Sequence, residues 1–441
     1  MTDLFAARSQ MAISLAFHII FACIGMAMPL LMATAHGLWL RTRQPVYLDL
    51  TKAWSKGVAI FFATGAVSGT ALSFELGLLW PRFMEHAGGI IGMPFSWEGT
   101  AFFIEAIALG LFLYGWDRLP EKLHWLSGVL VGVSGLASGV FVVAANAWMN
   151  SPAGFDWVDG RAINIDPWAA MFNDRMLNMG VHMLIASIAA TGFAVAGLHA
   201  WLLWRHPGHL FHRKALKIAL AFGATAAIIQ PLSGDLLAKE TAVHQPLKLA
   251  AMEAHFNTEK GASLLIGGLP DVENQQVDYG IKIPYLLSFL AFGDFTAEVQ
   301  GLNDFDRELW PPIVVTHISF QVMVAIGTLL MLIGILFWWF QWRQPERVYA
   351  NGMLKILMVT TPLGFIAVEA GWFVTEVGRQ PWIIYGIMKT KDALTPMPGL
   401  WLPFSMFFAM YLFLTFILIW LMKRQIRSIP HHYPQSGDGH A

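Results

Sequence analysis

Residues 313–340 read IVVTHISFQVMVAIGTLLMLIGILFWWF, and this stretch decides the fold class because it holds no Asp, Glu, Lys or Arg. A helix of that length rises about 42 Å at about 1.5 Å per residue, more than the roughly 30 Å of a bilayer's hydrocarbon core. Apolar segments of the same kind lie at 11–40, 55–80, 95–116, 125–147, 177–204, 215–234, 353–376 and 401–422. Of the 441 residues, 56% are hydrophobic and 13% charged, well below the roughly 25% charge of soluble domains. The sequence predicts an all-α integral membrane protein with nine transmembrane helices.

Orientation follows from the excess of Lys and Arg that short cytoplasmic loops retain. One set of connections holds 16 of the 28 basic residues, among them Arg41, Lys122, Arg213 and Arg343, against five acids. The alternate connections are acidic, and the stretch from Asp235 to Glu308 has 12 acids against five bases. The reading places the N-terminus outside and the C-terminus in the cytoplasm, which an odd number of spans requires. Residues 1–430 form a single transmembrane domain in which 235–312 is one long polar outer loop; 431–441 reads as a disordered tail. The N-terminus lacks the basic region and small-residue cleavage site of a secretory signal, so its apolar run is expected to stay as a helix.

A net charge of −1 offers no basic surface for nucleic acid, and the 19 Trp suit the membrane interfaces. Cys23 is the only cysteine, which excludes disulfide frameworks, four-cysteine zinc sites and thiolate-held clusters. Any metal must sit on His, Met or carboxylate.

Once the helices are oriented, unusual side chains fall at one depth in the outer half of the bilayer. They are His18, His182, Met323, Glu98, Glu105, Glu75, Glu369 and Glu376. A buried carboxylate there costs several kcal/mol unless it is neutralised, paired or bound to metal. A lone membrane histidine more often bonds between helices, and a methionine usually packs, so His36, His124 and His199 at the inner ends are read that way, and His317 as interfacial. His with Met is an axial pair for low-spin haem iron. By itself the pattern leaves a haem cluster and a proton-coupled transporter both open.

The stretch VEAGWFVTEVGRQPW at 368–382 resembles the signature of subunit I of cytochrome bd-type quinol oxidases. Further matches follow in order: His18, WEGTAFFIEA at 97–106, GWDR at 115–118, ANAWMN at 145–150, His182, KLAAME at 248–253 and Met323. The resemblance covers the chain to about residue 425 and implies the catalytic subunit of a terminal oxidase. Such an enzyme oxidises quinol at the outer face and reduces O2 to water with cytoplasmic protons, building a proton-motive force without a pump. It implies two haems b and one haem d, with haem b the alternative for the last. His182 and Met323 are expected to ligate the low-spin haem, and His18 and Glu376 to serve the two high-spin haems, in an order left open.

Arg379, Gln380, Trp382 and Asn146 are expected around the cofactors. Glu98 and Glu105 are expected as acids beside the di-haem site, with Ser138 and Asn146 as hydrogen-bond partners. Lys248 and Glu253 are expected to bind quinol; five apart, they are not neighbours on a helix, and their other reading is an exposed ion pair. The implied partners are quinol, O2, subunit II in a heterodimer and a small single-helix accessory subunit, in the cytoplasmic (inner) membrane of a bacterium. Many members carry Arg two residues before the methionine, where this chain has Gln321. The outer loop is short, which resembles the branch that includes cyanide-insensitive oxidases. A haem-b quinol dehydrogenase that never meets oxygen stays open as a further reading.

Overall fold

The computed structural model describes residues 2–158 and 160–429. Its helices are α1 (Asp3–Thr42), α2 (Pro45–Leu79), α3 (Pro81–Tyr114), α4 (Glu121–Asn150), α5 (Pro167–Met171), α6 (Met176–Arg205), α7 (Leu210–His244), α8 (Pro246–Glu253), α9 (Leu286–Phe292), α10 (Ile313–Arg343), α11 (Asn351–Thr360), α12 (Leu363–Val377) and α13 (Trp401–Arg427). Among the described residues nine helical spans are long and apolar enough to cross a membrane, with α11 and α12 forming one of them. Proline at the first turn starts α2, α3, α5 and α8, where its missing N–H costs no helical hydrogen bond.

Hydropathy placed some boundaries wrongly. α3 begins at Pro81 rather than near 95, so Glu98 lies near the middle of the helix and not in its first turns. α7 continues to His244, past residue 235 where the polar loop was expected to begin. That extension is held by the Lys239–Asp235 pair one turn apart at 2.6 Å, a local gain that hydropathy does not register. The expected tail 431–441 lies outside the described residues.

Two sets of helices, α1 to α4 and α6, α7, α10, α11 and α12, pack together through α1 and α4 against α6, and α13 lies on α1 and α2. Lipid is as apolar as leucine, so close approach rather than hydrophobicity holds such helices together. Gly192 on α6 faces Gly223 on α7 so tightly that a Cβ at 192 would stand 2.5 Å from the Gly223 Cα, and Gly364 on α12 meets Ala190 on α6 at the same separation. The largest apolar cluster joins Leu31, Leu50, Phe112, Val131, Phe211, Phe337 and Leu357. These residues lie toward the helix ends that carry the basic connections, where the buried His36, His124, His199 and His212 also lie.

The expected outer loop is not irregular throughout. After α8, nested antiparallel pairs join Glu259–Lys260 with Glu298–Val299, Leu264–Ile266 with Ile281–Ile283, and Leu269–Asp271 with Gln276–Asp278. Gly268 at φ +98°, crowded by Val277, permits the turn between the second and third pairs that a side chain would block.

Candidate functional site

His18 on α1 and His182 on α6 are oriented in the same way. His18 Nδ1 lies 3.0 Å from Ser68 Oγ on α2, and the Ser68 hydroxyl donates to the Gly65 carbonyl at 3.1 Å. A hydroxyl whose hydrogen is engaged accepts, so His18 carries its proton on Nδ1 and keeps the Nε2 lone pair. His182 Nδ1 lies 3.0 Å from Ser233 Oγ on α7, whose hydroxyl donates to the Gln230 carbonyl at 2.8 Å. The Gln230 amide nitrogen lies 3.1 Å from His182 Nε2 and 3.2 Å from Nδ1 and also donates to the His182 carbonyl, so His182 Nε2, unlike that of His18, has a protein neighbour. Imidazole held at Nδ1 with Nε2 bare is the metal-ligating form.

Glycines face these candidates. A Cβ at Gly69 would come within 2.9 Å of His18 Cε1, one at Gly234 within 3.6 Å of His182 Cε1, and one at Gly371 within 3.0 Å of Met323 Sδ. Met323 on α10 therefore rests against α12, which also packs on the His182 helix.

The end of α12 carries a buried charge cluster. Arg379, 2% exposed, donates from Nη2 to Glu376 Oε2 at 2.6 Å, while its Nε and Nη1 have no hydrogen-bond partner. Burial lowers the Arg379 pKa, and Glu376 opposes that. Asn146 donates to the other Glu376 oxygen, so its partner is Glu376 and not Glu98 or Glu105 as expected. Glu376, in the last turn of α12, is the carboxylate that the fold brings within reach of Asn146 on α4. Gln380 accepts from Thr390 at 2.9 Å, and Trp382 lies under the Lys389 ammonium in the Trp382–Ile384 strand. Gln380 also donates to the Glu376 carbonyl at 3.4 Å, so it joins the cluster to the segment after it.

Glu98 and Glu105 stand on α3. Ser138 donates to Glu98 at 3.3 Å, as expected, and Glu105 is 6% exposed, with Gly135 of α4 leaving it room. Glu75, fully buried, accepts from Ser14 at 2.8 Å, and Glu369 has a buried oxygen without a partner.

Lys248 and Glu253 are both 5% exposed, which removes the exposed ion-pair reading. Lys248 donates to Asn150 Oδ1 at 2.7 Å and to the Thr375 carbonyl at 3.3 Å, so α8 is tied to α4 and to the Glu376 turn. Burial, then the charges of Arg175 and Arg379, pull the Lys248 pKa well down, against the pull of Glu376. Burial pushes Glu253 up to about 8, opposed by the Leu265 N–H. Arg175, 3% exposed, bonds Gln245 and Thr241; it is one of two arginines, with Arg161, in a connection that also holds Asp156, Asp159, Asp166 and Asp174, and nothing in the sequence set it apart. His317 is fully buried rather than interfacial, because α8 and the loop cover it. Ser68, Ser233 and Gln230 had no signal, since their roles arise only where α1 meets α2 and α6 meets α7.

The family model for cytochrome bd terminal oxidase subunit I matches residues 6–430. The chain belongs to that family. It is similar to the putative cytochrome bd menaquinol oxidase subunit I of Bacillus subtilis, 35% identical over 98% of both chains. It is also 31% identical to the cytochrome bd ubiquinol oxidase subunit 1 of the same organism, over 98% of this chain and 95% of the other. Among solved structures it matches the bd oxidase from Geobacillus thermodenitrificans with a TM-score of 0.92 at 38% identity, covering 97% of this chain and 99% of that one. As a subunit of a haem-containing terminal oxidase the chain is part of an oxidoreductase, and it is a multi-pass membrane protein. The transporter reading is thereby closed.

The residues present fit haem. Among the described residues no three His, Cys, Asp or Glu side chains converge on one point, whereas iron in a porphyrin needs only one or two protein ligands. His18 Nε2, His182 Nε2 once the Gln230 amide turns to its Nδ1 side or carbonyl, Met323 Sδ, and the unpartnered Arg379 nitrogens supply ligands and a cation for a propionate.

Proposed function

We propose that this chain is the catalytic subunit of an electrogenic quinol:oxygen oxidoreductase that takes electrons from quinol at the outer face and protons for water from the cytoplasm. The observation that carries it is buried Lys248, which links the α8 segment through Asn150 and Thr375 to the turn bearing Glu376 and Arg379. Two haems b and a third haem, d or b, supply one-electron transfer and oxygen reduction when bound. His182 and Met323 would hold the low-spin haem, His18 and Glu376 the high-spin pair, and Arg379 a propionate.

Lys248 and Glu253 bind the two quinol oxygens, and Glu253, neutral below about pH 8, accepts a quinol proton in its ionised form and releases it outside. Glu105 and Glu98, two turns apart on one face of α3, pass protons from the cytoplasmic side. Charge crosses the membrane because the two sets of protons use opposite faces.

Residues 1–430 act as one domain, and its outer quinol loop, expected at 235–312, follows the end of α7 at His244, in the short-loop branch. The enzyme works with subunit II and a small single-helix subunit in the bacterial cytoplasmic (inner) membrane. Support for helical partners is α13, only 6% of whose most apolar window is buried. The test is a pyridine haemochrome spectrum with oxygen uptake on quinol, compared with His182→Ala and Met323→Leu. Loss or conversion of the low-spin bands with insertion retained is expected; unchanged low-spin bands in both variants reject the ligand assignment. Haem b bands without oxygen uptake would favour the dehydrogenase.

A further inference from the structure

His317 and Gln321 stand one helical turn apart on α10, and every hydrogen bond recorded for their side chains goes to main-chain atoms of the outer segment. His317 Nδ1 lies 2.8 Å from the Met252 carbonyl, and Nε2 lies 3.3 Å from the Gly267 carbonyl. A neutral ring satisfies one of these carbonyls at a time and the imidazolium both. Gln321 accepts from the Gly267 N–H at 2.9 Å and donates to the Leu265 carbonyl at 3.0 Å. The points held are the residue before Glu253, Gly267 and Leu265, the last in the strand Leu264–Ile266, and the Leu265 N–H faces the Glu253 carboxyl. Met323 follows Gln321 by two positions, so it leaves a different side of α10 and meets Gly371 instead.

We propose that His317 and Gln321 are positioning residues for quinol oxidation: they clamp the Glu253 end of α8 and the Leu264–Ile266 strand onto the helix that carries Met323. The clamp fixes the distance between the quinol proton acceptor and the low-spin haem ligand through one rigid element. It rests on the reading of Lys248 and Glu253 as the quinol-binding pair and of Met323 as a ligand. Because the clamp binds main chain, the loop side chains are free to vary while its path is not. Gln321 therefore has a mechanical task in this chain, whatever charge it withholds from the haem.

The experiment uses the complete purified enzyme with Gln321→Met, close in shape but without polar ends, and His317→Gln, which keeps one donor. Hydrogen–deuterium exchange of residues 252–268 and steady-state quinol oxidation are measured together with the low-spin haem spectrum and the reoxidation rate of the reduced enzyme by oxygen. In Gln321→Met, which loses two hydrogen bonds, the amides of Leu265 and Gly267 should exchange about tenfold faster and the quinol KM should rise about tenfold. His317→Gln should give smaller changes of the same sign. Reoxidation by oxygen and haem content should stay as in the parent, which a general folding defect would not allow. Exchange unchanged in both variants overturns the clamp, as does a fall in kcat with KM unchanged. Lys248→Ala and Glu253→Gln in parallel separate the two claims. If they leave quinol kinetics intact, the quinol-site reading fails while faster exchange in Gln321→Met still upholds the clamp.

Discussion

Glu105 combines near-complete burial with a place on α3 facing Gly135 and the α1 backbone, so an ionised carboxylate there is expensive and a proton carrier is the better use of it. Glu105→Gln should keep every haem and normal quinol binding but slow oxygen reduction strongly, by about 10²-fold or more as the loss of a proton-transfer group does. Single-turnover oxygen reaction of the reduced enzyme, with a pH indicator for proton uptake, is the measurement; normal uptake and turnover would leave Glu105 a structural carboxyl. Glu98, held by Ser138, should respond differently, its amide variant also disturbing haem content.

Glu253 makes a pH prediction. Its pKa is raised to about 8, so the carboxylate needed to accept a quinol proton is scarce below that pH and plentiful above it. The rate of quinol oxidation per KM should climb with pH through a midpoint near 8, and Glu253→Gln should flatten the climb at a low value. The same midpoint in the variant would assign the titration to another group. The identity of such residues was legible from their type and motif; their partners were not, as Asn146 demonstrates by bonding Glu376.

Helix contacts in lipid depend on small residues, and α6 and α7 are the pair for which this matters most to the site. α6 brings His182, and α7 brings Ser233 and Gln230 that orient it. Gly192→Val places atoms where the Gly223 backbone already stands, an overpacking that costs about 1–3 kcal/mol if the helices part slightly. The expected result is a lower inactivation temperature with early loss of the low-spin bands, before those of the other haems. Loss of all bands together would mean that the bundle opens as one unit and not at this seam. The short connection from Arg205 to Leu210 makes the two helices neighbours, but hydropathy could not set the rotation that puts Gly192 on Gly223 and His182 on Ser233.

For the whole molecule the charge bias is the ground for the proposed orientation, and the single Cys23 is fully buried, which leaves a quiet background for cysteine mapping. A membrane-impermeant thiol reagent added to spheroplasts should label Asn274→Cys in the outer loop and not Lys122→Cys between α3 and α4. The opposite pattern would invert the topology and with it the direction of charge movement. Purification of the chain alone should give little quinol-dependent oxygen uptake, and full activity without any second helical subunit would remove the need for a partner.

The amino-acid sequence by itself determined the solvent of this protein, its nine spans and its family, because a run such as 313–340 has no energetically tolerable home outside a bilayer and because VEAGWFVTEVGRQPW is specific. It also singled out His18, His182, Met323 and Glu376, the side chains proposed to ligate iron. Only the tertiary structure decided which hydroxyls orient His18 and His182, that Lys248 is buried against the Glu376 turn, and that His317 and Gln321 hold the outer segment. Each of these depends on atoms 48 or more positions apart in the chain meeting within hydrogen-bond reach. Periodicity and hydropathy act over a few turns of one helix and do not record which helix faces which.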